Sequence, residues 1–155
     1  MIACKKTMGI PCETSCAILI DSFDRFLFQR RDNNPGILYP GMIGLFGGHC
    51  EGNETFLECV VREVHEEISY FLPPERFVHL TNVNEIDPRG ATTHVEIFIA
   101  SNVPADRLVI TEGSLFTVKP QDVATVEPKF SPTARFAMKV FLNDQQSVLR
   151  RLRLV

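Results

Sequence analysis

G-H-C-E-G-N-E-T-F-L-E-C-V-V-R-E-V-H-E-E-I-S-Y runs from Gly48 to Tyr70 and decides how the rest of the chain is read. A glycine turn opens it, and an acidic segment with an apolar stripe follows. Leu57, Val61, Val64, Ile68 and Phe71 recur at alternating spacings of four and three, which is one face of an α-helix. Asn53 suits the N-cap, with Glu54 in the first turn where the helix dipole favours a carboxylate. Pro73 and Pro74 are expected to stop the helix.

Glu63 and Glu67 lie roughly 80–120° from the centre of the apolar stripe, at about 100° per residue. A solvated pair would more often point directly away from it. Glu63 and Glu67 are helix neighbours, and Glu66 adds a third carboxylate on the same flank. Carboxylates gathered at the edge of a buried face repel one another unless a cation joins them. Hard divalent ions take oxygen ligands and keep waters that substrate phosphates can displace. The plainer reading is a charged helix flank, tied by Glu58–Arg62 and Arg62–Glu66 pairs.

Gly48, Glu54, then Arg62-Glu63-Val64 followed by Glu66-Glu67, at this spacing, resembles the signature of the Nudix hydrolases. One position departs from it: the family usually has glycine where this chain has Ser69, and serine enters positive φ less readily. The resemblance implies an α/β fold, an α/β/α sandwich with a mixed β-sheet, formed by residues 1–155 as one domain. It implies metal-dependent cleavage of a nucleoside diphosphate linked to another group, by water attack on phosphorus. Mg²⁺ is the expected ion and Mn²⁺ the alternative. Glu63, Glu66 and Glu67 are the expected metal ligands, joined by the Gly47 carbonyl. Arg62 and Glu54 are expected to pair across the loop–helix turn as supports for the site, with Gly48. A Nudix-fold module that binds nucleotides without catalysis is the alternative, but such modules usually lack the signature carboxylates retained here.

The general base stays open. Some family members use a glutamate outside the signature, on a loop before a late strand, and Glu112 in Thr111-Glu112-Gly113 resembles that position. Glu96 competes, and Glu66 itself is the third choice. Arg30 and Arg31 end a strand and suit substrate phosphates, because guanidinium matches phosphate geometry. Phe46 stands where family members often carry a larger aromatic or proline, and is grouped with these arginines as a substrate contact. A base could stack on Phe77, Phe98 or Phe116. No tyrosine follows Tyr70, which weighs against dinucleoside polyphosphate enzymes that stack a base on one. A nucleoside triphosphate or a nucleotide sugar is the preferred substrate class.

The 155 residues suffice for one domain with a substantial core, and 45% hydrophobic with 23% charged residues is ordinary for a globular chain. A net charge of −3 offers no polyanion-binding surface, so long nucleic acid is not an expected partner. No apolar run approaches the roughly 20 residues of a membrane span. Met1–Ile10 shows no signal-peptide pattern, and five cysteines without zinc spacing suit free thiols in a reducing cytoplasm. The expected assembly is a monomer or homodimer.

Elsewhere, Thr14–Ile20 and Arg25–Arg30 read as a hairpin across Asp21-Ser22-Phe23-Asp24. Phe77–Asn84, Thr92–Ala100 and Ser114–Val118 read as strands, with a turn at Asp87–Gly90. His94 sits on the polar phase of its strand. Ser131-Pro132-Thr133 opens a last helix whose expected inner stripe is Phe136, Met138, Val140, Leu142 and Val148.

Overall fold

A computed structural model describes residues 11–153. The expected lead-in of Met1–Ile10 lies outside them. The sheet is built on β1 (Cys12–Asp21), whose central residues are buried on both faces. Along one edge β1 runs parallel to β6 (Thr92–Val103), which in turn pairs antiparallel with β5 (Val78–Ile86). The other edge of β1 is shared. Leu19 and Ile20 pair with β2 (Phe26–Arg30), while Thr14–Ala17 pair with β4 (Phe46–His49). β2 continues beyond β1 by pairing with β3 (Ile43–Gly44) and, on its far edge, with β7 (Ser114–Val118). Strands β1 and β2 therefore part company, and the segment β3–β4 crosses between them. Among the described residues the result is a mixed sheet of seven strands.

Period-two alternation sends β1 side chains to two separate cores. Cys16, Ile18 and Ile20 join Phe26, Phe28, Ile97 and Ile99 under α3 (Pro132–Asn143) and α4 (Gln145–Leu152). Ala17 and Leu19 join Leu27, Phe46 and Phe98 under α1 (Phe56–Ile68), through Val60, Val64 and Ile68. Both faces of the sheet are covered, as the α/β/α reading expects. A short α2 (Val123–Val126) adds Val123 to the first core.

The signature helix begins later than expected. Thr55, not Asn53, is its N-cap: the Thr55 hydroxyl accepts from the Glu58 amide, and the Glu58 carboxylate accepts from the Thr55 amide. This reciprocal capping box satisfies two end donors at once, which a lone asparagine cap does not. α1 also stops earlier, because Ser69 adopts the left-handed conformation at φ 51° and its amide bonds to the His65 carbonyl. Phe71 consequently falls beyond the helix and is exposed.

At the other end, Ser131 caps α3 as expected, but the helix breaks at Asp144. Of the expected stripe, Met138 and Val148 are buried and Phe136 packs against the core, but Leu142 is exposed; Ala134, Ala137 and Phe141 complete the buried face. Asp21 ties its hairpin by accepting from the Phe23 and Arg25 amides. Cys12 is disulfide-bonded, and Cys16, Cys50 and Cys59 are free. The expectation of free thiols throughout is corrected at Cys12, and thiol composition no longer argues for a reducing compartment. Among the described residues, no helix is long and apolar enough to cross a membrane.

Candidate active site

The site starts from two glycines on β4 that admit no side chain. Gly47 sits at φ 140° against the β1 backbone, where a Cβ would collide with the Ser15 carbonyl. At Gly48 a Cβ would occupy the space taken by the Glu63 carboxylate. Bare backbone on β4 is what lets α1 lay its acidic flank on the sheet.

Arg62 braces that flank. Its Nε and Nη2 donate to the two oxygens of Glu54 at 3.1 and 2.6 Å, a bidentate pair. Nη1 donates to Glu63 Oε1 at 2.8 Å, and Nη2 also donates to the His49 carbonyl at 3.0 Å. Glu66 Oε2 lies 3.6 Å from Nη1, with a mostly exposed side chain. The Arg62 hydrogen bond holds the Glu54 carboxyl below its ordinary pKa. Glu54 has left the first turn to do this, since it precedes the N-cap. Glu58 serves the capping box rather than Arg62, so the surface-pair reading survives only at Arg62–Glu66.

Glu67 is the buried member, 5% exposed. The Gly47 amide donates to it at 2.8 Å and Gln29 Nε2 at 3.4 Å. Burial pushes its pKa up to about 8 against the Gly47 hydrogen bond, and the charges of Glu112 and Glu63 push the same way. Glu112 is near enough for its charge to act on Glu67. Its loop is latched to the last turn of α1: Val109 and Thr111 amides donate to Ile68 and Glu67 carbonyls at 3.0 and 2.9 Å, and Gln29 donates to the Glu112 carbonyl at 3.0 Å. Gly113, at φ 68°, packs on the Arg30 backbone.

Glu96 does not join this group. It is gripped on the β5–β6 surface by His79 and His94, the latter at 2.9 Å. Burial would raise its pKa, yet the hydrogen bonds from His94 and His79 hold it below the ordinary value. Phe46 is fully buried beneath α1, so the expected substrate contact is corrected: the hydrophobic effect has claimed it for the core. Phe77 and Phe98 are core residues too. Of the three stacking candidates only Phe116 stays partly open, with the Arg30 guanidinium 4.7 Å over its ring. Arg31 donates from Nε to the Leu38 carbonyl at 2.8 Å and lines a cleft beside Gly47 and Gly48.

That cleft also draws on Thr14, Tyr39, His49, Glu85 and Thr133. Glu85 is pushed up by burial, against a 2.8 Å hydrogen bond donated by Thr133. Glu85 and Gln29 had no motif to announce them. Gln29 alone had a signal, a lone amide in the apolar run Phe26–Phe28 before the strand-end arginines.

The NUDIX domain model matches residues 12–147. The chain belongs to the Nudix family. Among solved structures, the Nudix fold of a MutT protein from Methanosarcina mazei Go1 superposes with a TM-score of 0.75 at 21% identity, covering 90% of this chain and 99% of that one. A bifunctional NMN adenylyltransferase/ADP ribose pyrophosphatase from Francisella tularensis, complexed with AMP and a Mn ion, gives 0.67 at 16% identity over 90% of this chain and 43% of that one. The C. elegans Ap4A hydrolase gives 0.64 at 13% identity, over 86% and 98% of the respective chains. No curated protein is similar enough to count as a match.

The charges of Glu63 and Glu112 both act on Glu67 beside the Gly47 amide, and Arg62 is already committed to Glu54 and Glu63. An all-oxygen donor set with excess negative charge fits Mg²⁺ or Mn²⁺. The carboxylate oxygens of Glu63, Glu67 and Glu112 do not all lie within 4.8 Å of one another.

Proposed function

We propose that the chain is a single-domain Nudix pyrophosphohydrolase that cleaves a nucleoside diphosphate linked to another group. The observation that carries this reading is Glu67: a carboxylate buried among like charges has a large electrostatic cost that a divalent cation would offset. Glu63, Glu66 and Glu67, with the Gly47 backbone, would hold Mg²⁺. When bound, the ion supplies charge neutralisation at the phosphoryl oxygens and orientation of a water.

The chain's own groups do the rest. Arg62 fixes Glu63 by pairing and cannot act as a base. Glu112 is the assigned general base, its charge acting on Glu67 from a loop held in place by the α1 carbonyls. The loop backbone that carries it is latched to α1 and to Gln29, which favours a fixed position for the base. Glu66, exposed beside Arg62, is the fallback. The nucleoside is assigned to the cleft lined by Arg31, Tyr39 and Glu85, which adjoins Gly47 and Gly48. Arg30, at the strand end over Phe116, is assigned to a terminal phosphate or sugar. Nucleoside triphosphates and nucleotide sugars are the proposed substrate classes.

The test is a panel of both classes incubated with Mg²⁺ and resolved by chromatography. Release of a nucleoside monophosphate is expected. Tight binding of a panel member without any turnover would replace the enzyme by a nucleotide-binding module.

A further inference from the structure

Two free thiols beside the glycine turn take no part in the chemistry above. Cys50 follows β4 and is half-buried, while Cys59 lies in the first turns of α1 and is buried. Cys59 Sγ donates to the Gly48 carbonyl at 3.6 Å. Both sulfurs and a Glu54 carboxylate oxygen lie within 4.8 Å of one another. This is the one set of three such donors that converges this tightly among the described residues.

A tetrahedral ion with Zn–S distances of about 2.3 Å sets its sulfurs roughly 3.8 Å apart, so small side-chain movements would close this set around an ion. Two thiolates and a carboxylate form a donor set for a borderline-soft ion, whereas the Glu63/Glu67 flank is all oxygen and suits a hard one. The neighbouring Arg62 guanidinium completes the balance: two thiolates, one carboxylate, one guanidinium and a divalent ion are neutral together. The half-buried Cys50 side leaves a fourth position for water.

We infer that Cys50, Cys59 and Glu54 form a second cation site, for a zinc-class divalent ion, separate from the oxygen-lined site on α1. Binding forms two S–metal bonds and one O–metal bond and releases the two thiol protons to solvent. Glu54 is shared with Arg62, so the ion ties the Cys50 loop and the first turns of α1 to the arginine brace.

The probe is Cd²⁺ or Zn²⁺ alone, added to the full chain with its Cys12 disulfide intact and without Mg²⁺ or nucleotide. Cd²⁺ is expected to produce a saturable ultraviolet thiolate-to-metal band at one equivalent, resistant to excess Mg²⁺. Zn²⁺ affinity is read by competition with a chromogenic chelator. Cys50→Ser, at the open edge of the set, should abolish the band and weaken Zn²⁺ by at least about 100-fold, the upper end of what loss of a supporting group costs. Glu54→Gln should keep the band and bind Zn²⁺ more weakly. Circular dichroism checks that each variant is folded. Absence of the band in the parent chain, an equal band in Cys50→Ser, or equal Zn²⁺ affinity in Glu54→Gln would each overturn the site. No readout uses turnover, so this inference and the hydrolase reading fail separately.

Discussion

Glu67→Gln should move stability and activity in opposite directions. The glutamine keeps the shape and retains an oxygen for the Gly47 amide, but removes the charge. In the metal-free chain, burial raises the Glu67 pKa from 4.5 to about 8. Between those values the folded state keeps a proton that the unfolded state has lost. Stability of the parent therefore falls as pH rises from about 4.5 to about 8, and is flat above and below. At about 1.36 kcal/mol per pKa unit the full loss has a ceiling of about 5 kcal/mol. Local relaxation and water entry reduce it to about 1–3 kcal/mol. Glu67→Gln has no such loss. Urea unfolding in chelator at several pH values should show the variant about 1–3 kcal/mol more stable than the parent at pH near 8.5, and the difference shrinking towards pH 4.5. Mg²⁺ should stabilise the parent more than the variant. Turnover of the variant should fall by orders of magnitude. Parallel pH profiles, or a variant less stable at the alkaline end, would refute the argument from burial.

Arg62→Lys should lower kcat markedly, because an ammonium cannot replace the bidentate pair with Glu54 and the bond to Glu63 together; kinetics close to the parent would make Arg62 a surface residue. Glu112→Gln should lower kcat by about 10²–10⁴-fold with folding stability little changed, whereas Glu96→Gln, in its histidine grip, should be milder; steady-state rates of both variants decide between them. Ser69→Gly should raise stability by about 0.5–1 kcal/mol, since glycine enters the left-handed conformation without strain; an unchanged or lower Tm would show that Ser69 has no strain to release.

The signature stretch carried most of what could be read. Its carboxylate spacing located Glu63, Glu66 and Glu67 because helix geometry converts sequence distance directly into facing direction. Where two local signals competed, the sequence was ambiguous: Asn53 and Thr55 are both good caps, and the reciprocal bond with Glu58 decided for Thr55. Long-range packing was not legible. Phe46 looked available because it stands where family members often carry another aromatic or proline, but its strand phase points it beneath α1. The last helix kept its start at Ser131 and kept Met138 and Val148 inside, but Leu142 faces outward and the break at Asp144 has no proline or glycine to mark it. Glu112 was preferred to Glu96 by its resemblance to the family's loop glutamate; the fold adds a physical difference, bringing the Thr111–Gly113 loop onto the end of α1 and pairing Glu96 with histidines from two strands.

Turnover in ¹⁸O-enriched water tests most directly that this chain hydrolyses a phosphoanhydride at phosphorus. With Mg²⁺ and a nucleoside triphosphate or nucleotide sugar, the heavy oxygen should enter one phosphate-bearing product, and the reaction should stop when the ion is chelated. Product formation with no label on any phosphate, or undiminished turnover in chelator, would contradict the account.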